Sequence, residues 1–549
     1  DSTPPTITGT TVVADNSTIA VTFSEAVFNA TGGSGTLETS DFTLSISGGS
    51  ATVAATPSSI SSSGNVYTLG LSLDGTPNGS ETLTVVPSSA TAIYDAADNA
   101  ASTTQYNNTV SLYDKTPPTL SGVSIASSNT TNTLAKVGDD ITLSMTANED
   151  INQPTVYFVC DSITIEQSRI TYANSSGNTW TAAYNTSSSD SDGGGSAAVT
   201  YSIAFSDIAG NAGTTVSTGS GSVTFDKTSP TLSGVSIASS NTTNTLAKVG
   251  DDITLSMTAN EDINQPTVYF VCDSITIEQS RITYANSSGN TWTAAYNTSS
   301  SDSDGGGSAA VTYSIAFSDI AGNAGTTVST GSGSVTFDKT APEVTIRSTA
   351  ISSGNTSNDD PLPLTFTVTE ATADFLASNI TTTNCTLNTL ATSDNITFTS
   401  DLDPASNDLL CTVQVDAGIF TDAAGNPNVV SNKFEWTYDG IAPTMTISTS
   451  DVTLGEQSNA SSISLTFTSG ETTSNFEMGD ITRTNGNITA FSGSGRTYTA
   501  TFTPTNQGLC EIYVEAGSFT DAAGSTNSAS DIFTWTYDSI PPTMEIASN

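Results

Sequence analysis

Ile463-Ser-Leu-Thr-Phe467, Tyr498-Thr-Ala-Thr-Phe502 and Cys510-Glu-Ile-Tyr-Val-Glu-Ala516 each alternate apolar and polar side chains. A period of two marks a strand with one buried face. The pattern returns in Ile141-Thr-Leu-Ser-Met145 and Val199-Thr-Tyr-Ser-Ile-Ala-Phe205. Turn-forming clusters separate such runs, as in Asn174-Ser-Ser-Gly-Asn178 and Ser191-Asp-Gly-Gly-Gly195. No helical stripe is long enough to compete. About seven short strands per ~100 residues predict a two-sheet Greek-key sandwich.

The chain holds several such units. Residues 118–228 return letter for letter as residues 230–340. A recurring linker begins at Asp1, Asp114, Asp226, Asp338, Asp439 and Asp538, at spacings of 113, 112, 112, 101 and 99 residues. Each interval is the size of an independently folding domain. The expected division is 1–115, 116–227, 228–339, 340–439 and 440–538, an all-β tandem array of five sandwiches. Residues 539–549 repeat the opening strand of a module: Ser539-Ile-Pro-Pro-Thr-Met-Glu-Ile-Ala-Ser-Asn549 parallels Ala442-Pro-Thr-Met-Thr-Ile-Ser448. This last segment is either a donor strand for another subunit or the start of a further repeat.

Fifty-four acids face eleven bases, a net charge of −43, so nucleic acid is repelled. Histidine is absent, and with it the commonest general base and transition-metal ligand. No apolar stretch approaches the ~20 residues of a membrane helix. Asp1-Ser-Thr-Pro-Pro is no signal peptide, so the chain is expected to be processed or a window on a longer one. Few basic residues and many hydroxyls suit an extracellular setting, on a cell surface or appendage.

Certain motifs are shared between modules. The fifth carries Phe491-Ser-Gly-Ser-Gly-Arg-Thr-Tyr-Thr-Ala-Thr-Phe-Thr-Pro504 and Val514-Glu-Ala-Gly-Ser-Phe-Thr-Asp-Ala-Ala-Gly524, and the fourth Val415-Asp-Ala-Gly-Ile-Phe-Thr-Asp-Ala-Ala-Gly-Asn426. The first offers Phe23-Ser-Glu-Ala-Val27 and Tyr94-Asp-Ala-Ala-Asp-Asn99. These resemble the bacterial-type immunoglobulin-like (Ig-like) repeats of large surface adhesins and fibre proteins. The second and third modules share the Asp-Ile-Ala-Gly-Asn turn but are a more distant type. The resemblance implies an Ig-like fold throughout. Its functional implication is looser, because such sandwiches serve as stalks, adhesive tips and fibre subunits alike.

Three acids recur in every module. The first is the linker acid, Asp1, Asp114, Asp226, Asp338 or Asp439. The second follows the second strand: Glu25, Glu149 with Asp150, Glu261 with Asp262, Glu370 and Glu471. The third sits in the late turn: Asp95, Asp207, Asp319, Asp422 and Asp521. In a sandwich of this topology all three meet at the pole where the linker enters. Carboxylates so placed repel unless a cation or protons neutralise them. Oxygen ligands without His or Cys select Ca²⁺, which tolerates irregular geometry better than Mg²⁺. The resembled repeats bind calcium at such junctions. The competing reading is that the late Asp caps its own turn.

Of five cysteines, Cys385 and Cys411 share one module, and their parity points both inward. A bridge between them closes about 26 residues, roughly 3–4 kcal/mol in the loop-entropy model. Cys160, Cys272 and Cys510 are alone in their modules, as buried apolar thiols or as interchain links; no zinc spacing exists. The tryptophans Trp180, Trp292, Trp436 and Trp535 sit in strand-like runs and are expected in cores.

Glycosylation sequons begin at Asn16, Asn29, Asn78, Asn107, Asn129, Asn174, Asn185, Asn241, Asn286, Asn297, Asn355, Asn379, Asn384, Asn395, Asn459 and Asn487. A Ser/Thr-rich composition generates most of these by chance, so they say little.

The expected function is therefore an extracellular structural protein, a filament or stalk subunit stiffened by calcium. Its modules would join head to tail with further copies of itself, through strand insertion from residues 539–549. The rival is an adhesin that binds glycans or other cells. An enzyme is not expected: a Ser-His-Asp triad needs histidine, and an acid pair repeated at every junction suits a structural ion better than glycoside hydrolysis.

Overall fold

The computed structural model describes residues 1–546, so the last three residues of the segment 539–549 lie outside the described residues. The described residues contain no α-helix, and hence no helix long and apolar enough to cross a membrane. Strands and three-residue 3₁₀ turns build five successive sandwiches.

The second module shows the plan. Leu120–Ser127 pairs with Asp140–Ala147, which pairs with Thr179–Asn185, which pairs with Thr171–Ser176, all antiparallel. The facing sheet runs Leu134–Ala135, Val223–Asp226, Ser196–Ala204, Thr155–Cys160, Ile163–Thr164. After Ser127 the chain crosses between sheets, and Leu134 pairs in parallel with Thr224. One covalent segment thus edges both sheets, and the linker enters and leaves at opposite poles.

Alternation places Ile141, Leu143 and Met145 in the interior and Thr142, Ser144 and Thr146 outside. Across the gap lie Val156, Phe158 and Cys160, with the Phe158 and Tyr184 rings 4.9 Å apart. Each fully buried side chain of this size contributes about 1.5–3 kcal/mol. The fourth and fifth modules centre on an aromatic instead. Phe375 lies 5.0 Å from Phe398 and Phe420, and Phe476 lies 5.0 Å from Tyr498 and Phe519. The five cores have no residue in common.

Trp436 and Trp535 are fully buried. Trp180 and Trp292 are half-buried at the core margin, each donating its indole N–H to a glycine carbonyl, Gly177 or Gly289, at 3.1 Å.

The Cys385 and Cys411 thiols lie within hydrogen-bonding reach of each other, while Cys160, Cys272 and Cys510 are buried singly. Cys411 is fully buried as parity requires, but Cys385 is only half-buried near the strand edge. Cys385 Sγ also lies 3.2 Å from the Thr383 carbonyl oxygen, and Cys411 Sγ 3.2 Å from that of Asn384. Burial pushes the Cys385 thiol up to about 12, and those of Cys160 and Cys272 up to about 11. In the fifth module Gly486 leaves room for the Phe502 ring, which lies where a side chain would go.

Every sandwich carries its own first strand: Ile7–Val12, Leu120–Ser127, Leu232–Ser239, Val344–Arg347 and Met445–Ser448, each paired with the second. The segment from Ser539 to Ile546 forms no strand, and Ile540, Met544 and Ile546 are exposed at 66%, 86% and 85%.

Candidate metal centres at the module junctions

The late turn is built by its Asp. In the third module Asp319 Oδ1 accepts the backbone N–H groups of Gly322 and Asn323 at 2.6 and 2.8 Å, while Oδ2 accepts the Asn323 amide at 2.8 Å. Gly322 has φ of +94°, a conformation that costs glycine nothing. Asp95, Asp207 and Asp422 are held in the same way by Asn99, Asn211 and Asn426. Asp521 departs from this. Ser525 stands in the place of the Asn, and Asp521 Oδ2 is buried with no hydrogen-bond partner in a residue only 4% exposed.

The linker acid folds over its own chain. Asp1, Asp114, Asp226 and Asp338 each accept the N–H of the threonine two residues on, at 2.8, 2.8, 2.9 and 2.9 Å. Asp439 accepts from Ile441 at 3.2 Å. This turn aims the carboxylate at the pole of the module that follows. Where the late-turn residue reaches back to the linker carbonyl, it fixes the two together: Asn323 to Asp226 and Asn426 to Asp338, both at 3.0 Å, and the Ser525 hydroxyl to Asp439 at 3.0 Å.

The glutamate after the second strand completes each group. Asp1–Glu25–Asp95, Asp114–Glu149–Asp207, Asp226–Glu261–Asp319, Asp338–Glu370–Asp422 and Asp439–Glu471–Asp521 each bring one carboxylate oxygen per residue within 4.8 Å of the other two. Asp150 and Asp262 do not join; both are exposed, with the Asp150 carboxylate facing Gly177 and that of Asp262 facing Gly289. Only the neighbouring Glu149 or Glu261 turns toward the other two acids.

Among the described residues no salt bridge reaches these carboxylates, although Arg496 lines the fifth group. Burial, then the nearby charges of Asp338 and Asp422, pushes Glu370 up to about 7. Glu149, Glu261 and Glu471 are raised for the same two reasons, and Asp226 and Asp338 are raised chiefly by burial. Three hard oxygens at this spacing can hold a divalent cation, with carbonyls and water filling the remaining positions.

Sequence reasoning missed the partners that shape these sites: the late-turn Asn, and in the second and third modules a clamp on the loop before the linker. Arg169 pairs with Asp190, and Arg281 with Asp302 at 2.5 Å; both Asp are 5–6% exposed. Asp192 and Asp304 then bond the threonine that follows the linker acid, at 2.7 and 2.8 Å. A lone arginine followed by an acidic glycine-rich loop was the available signal. Among the sequons, Asn16 is closed to modification: it is 2% exposed, and its amide is bonded at both ends to the Tyr113 backbone.

Residues 338–438 and 439–537 each match the family model of the bacterial Ig-like domain. The chain carries that domain in tandem. Similar solved structures include an I-band fragment of titin (12% identity, 59% of this chain and 98% of that one, TM-score 0.30). The Escherichia coli adhesin FdeC matches at 11% identity over 56% of this chain and 99% of its own, TM-score 0.31. InvD of Yersinia pseudotuberculosis matches at 14% over 56% and 98%, TM-score 0.27. No curated protein sequence matches.

Proposed function

We propose that the chain is the rod of an extracellular stalk or filament, and that calcium at its junctions stiffens it. One observation carries the reading: the same three carboxylates converge at each of the five linkers, and at the fifth one buried carboxylate oxygen is left without a partner. An unpartnered buried carboxylate oxygen costs about 1–3 kcal/mol or more. A cation removes that cost and the mutual repulsion together, and it ties linker to module. The Asp-built turn and the ion are compatible, since a carboxylate oxygen has lone pairs beyond those that cap the turn.

Calorimetry of the full chain in chelator and in millimolar calcium tests the proposal. Saturation at a hundredfold over Kd adds about 2.7 kcal/mol per site. The melting temperature should rise, and Asp319→Ala should abolish the rise for the third module alone. Identical melting curves with and without calcium defeat the proposal.

A second reading concerns the exposed apolar face of Ile540, Met544 and Ile546. A segment of this sequence forms the first strand of every module, and unpaired strands with apolar faces seek partners. All five sandwiches here already hold a first strand, so the segment either opens a further module or joins another copy head to tail by displacing a resident first strand or adding to a free sheet edge. Electron microscopy of the chain with and without residues 540–549 separates these, because shorter filaments after truncation require the second.

A further inference from the structure

The second and third modules are identical in sequence, so any difference between their surfaces comes from what adjoins them. Ala321, in the late turn of the third module, is 2% exposed, whereas its twin Ala209 in the second is exposed. The cause is a corner of the preceding module. Asn129 of the second module donates its amide to the Ala321 carbonyl at 2.9 Å and to Asp139 Oδ2 at 2.7 Å. Asp139 is held in turn by the Lys136 backbone N–H at 2.8 Å and the Lys136 ammonium at 3.2 Å. The Lys136 stem lies over Gly322, where an added Cβ would meet it at 3.4 Å.

The next junction repeats the arrangement. Asn241 donates to the Ala424 carbonyl at 2.9 Å and to Asp251 at 2.8 Å, with the Lys248 stem over Gly425, and Ala424 is 3% exposed. At the last junction the backbone N–H of Asn358 takes the Ala523 carbonyl at 3.1 Å. The first junction has no counterpart. A Cβ added at Gly210 would meet nothing within 4 Å, and Asn211 makes no bond to the Asp114 carbonyl, unlike Asn323 and Asn426 at their linkers. In the first module Asn16 is spent on Tyr113 of its own sandwich.

We infer that the corners Asn129–Lys136–Asp139 and Asn241–Lys248–Asp251 are docking surfaces for the late turn of the following module, and that the first junction, lacking one, is the hinge of the chain. The partner is specified by chemistry: a turn with an outward carbonyl followed by glycine, narrow enough for a lysine stem to cover. The latch grips that turn through its alanine carbonyl, so it works without calcium. It also closes two sequons, since both amide hydrogens of Asn129 and of Asn241 are committed.

Distance distributions between spin labels in the full chain, measured in chelator, test this. Labels at Ser175→Cys and Ser287→Cys span the second junction, and labels at Ser61→Cys and Ser175→Cys span the first; all three serines are exposed. The second junction should give one narrow peak and the first a broad distribution. Asn129→Ala should lose the narrow peak while the second module stays folded, its melting lowered only by the lost bond to Asp139, and Asn129→Asp should do the same, because a carboxylate cannot donate and repels Asp139. A first junction as narrow as the second, or an unchanged peak in both Asn129 variants, overturns the inference. Adding calcium afterwards reports separately on the ion: it sharpens the first junction only if the carboxylate groups bind it.

Discussion

Two stretches of identical sequence, residues 118–228 and 230–340, fold to the same interior and present different surfaces. Phe158 and Phe270 are equally buried, and each lies 4.9 Å from its tyrosine. Ala209 and Ala321 are not alike, nor are Asn211 and Asn323, whose bonds differ at the linker. The interior is determined by sequence alone, while the pole is determined by sequence and neighbour together. A module of this chain is therefore one fold with as many surfaces as it has positions in the array.

The comparison can be broken at its strongest point. Phe158→Ala and Phe270→Ala should each cost about 3–5 kcal/mol of their own module's stability, by lost burial and the cavity left behind. Chemical denaturation of the full chain, with proteolysis to show which module opens, should give equal losses. A clear inequality would mean that neighbours reach the cores. Next in size is the clamp. Arg169→Met and Arg281→Met leave Asp190 and Asp302 buried with only the Lys227 and Lys339 ammonium groups near them, at about 2 kcal/mol each; the partly exposed guanidinium and the remaining lysine keep this below the fully buried case. Equal losses are again expected.

The poles should then part company. Ala321→Leu overpacks a buried contact and should cost about 1–3 kcal/mol, whereas Ala209→Leu, facing solvent, should stay within about 0.5 kcal/mol. Equal effects would show that the second junction is as open as the first. The smallest effect concerns pH. Glu370 is raised from its ordinary value to about 7 in the folded state. Its protonation therefore stabilises the fourth module at low pH, and that contribution fades as pH rises from about 4.5 through 7. In chelator the fourth module should melt at a lower temperature at pH 8 than at pH 5, and Glu370→Gln should flatten the trend. A trend that survives the substitution assigns the dependence to another group.

Most of the fold was legible because it rests on a period of two. Ile141, Leu143 and Met145 could be assigned inward from alternation alone, and so could Cys411. The membership of the carboxylate groups was legible in part, because three acids recurring at fixed offsets report a shared pole. What alternation could not decide was which of two adjacent acids turns inward, and so Asp150 and Asp262 were included with Glu149 and Glu261. Cys385 illustrates another limit. Parity assigns a face, but not the depth of a residue near a strand edge or the carbonyl its thiol meets. The latches were invisible for a different reason. Asn129 and Lys136 look like ordinary loop residues, and their partner, the Ala321 carbonyl, is a backbone group 192 residues away.

The five cores share no side chain, and this governs how the chain answers a pull on its ends. Tension is borne in series, so one sandwich can give way while the other four keep their interiors. A released module of 112 residues pays out a contour length of roughly 370–400 Å, at 3.3–3.6 Å per residue, before the next is loaded. The array is thus both a strut under small loads and an extensible tether under large ones, and its reach grows in steps of one module.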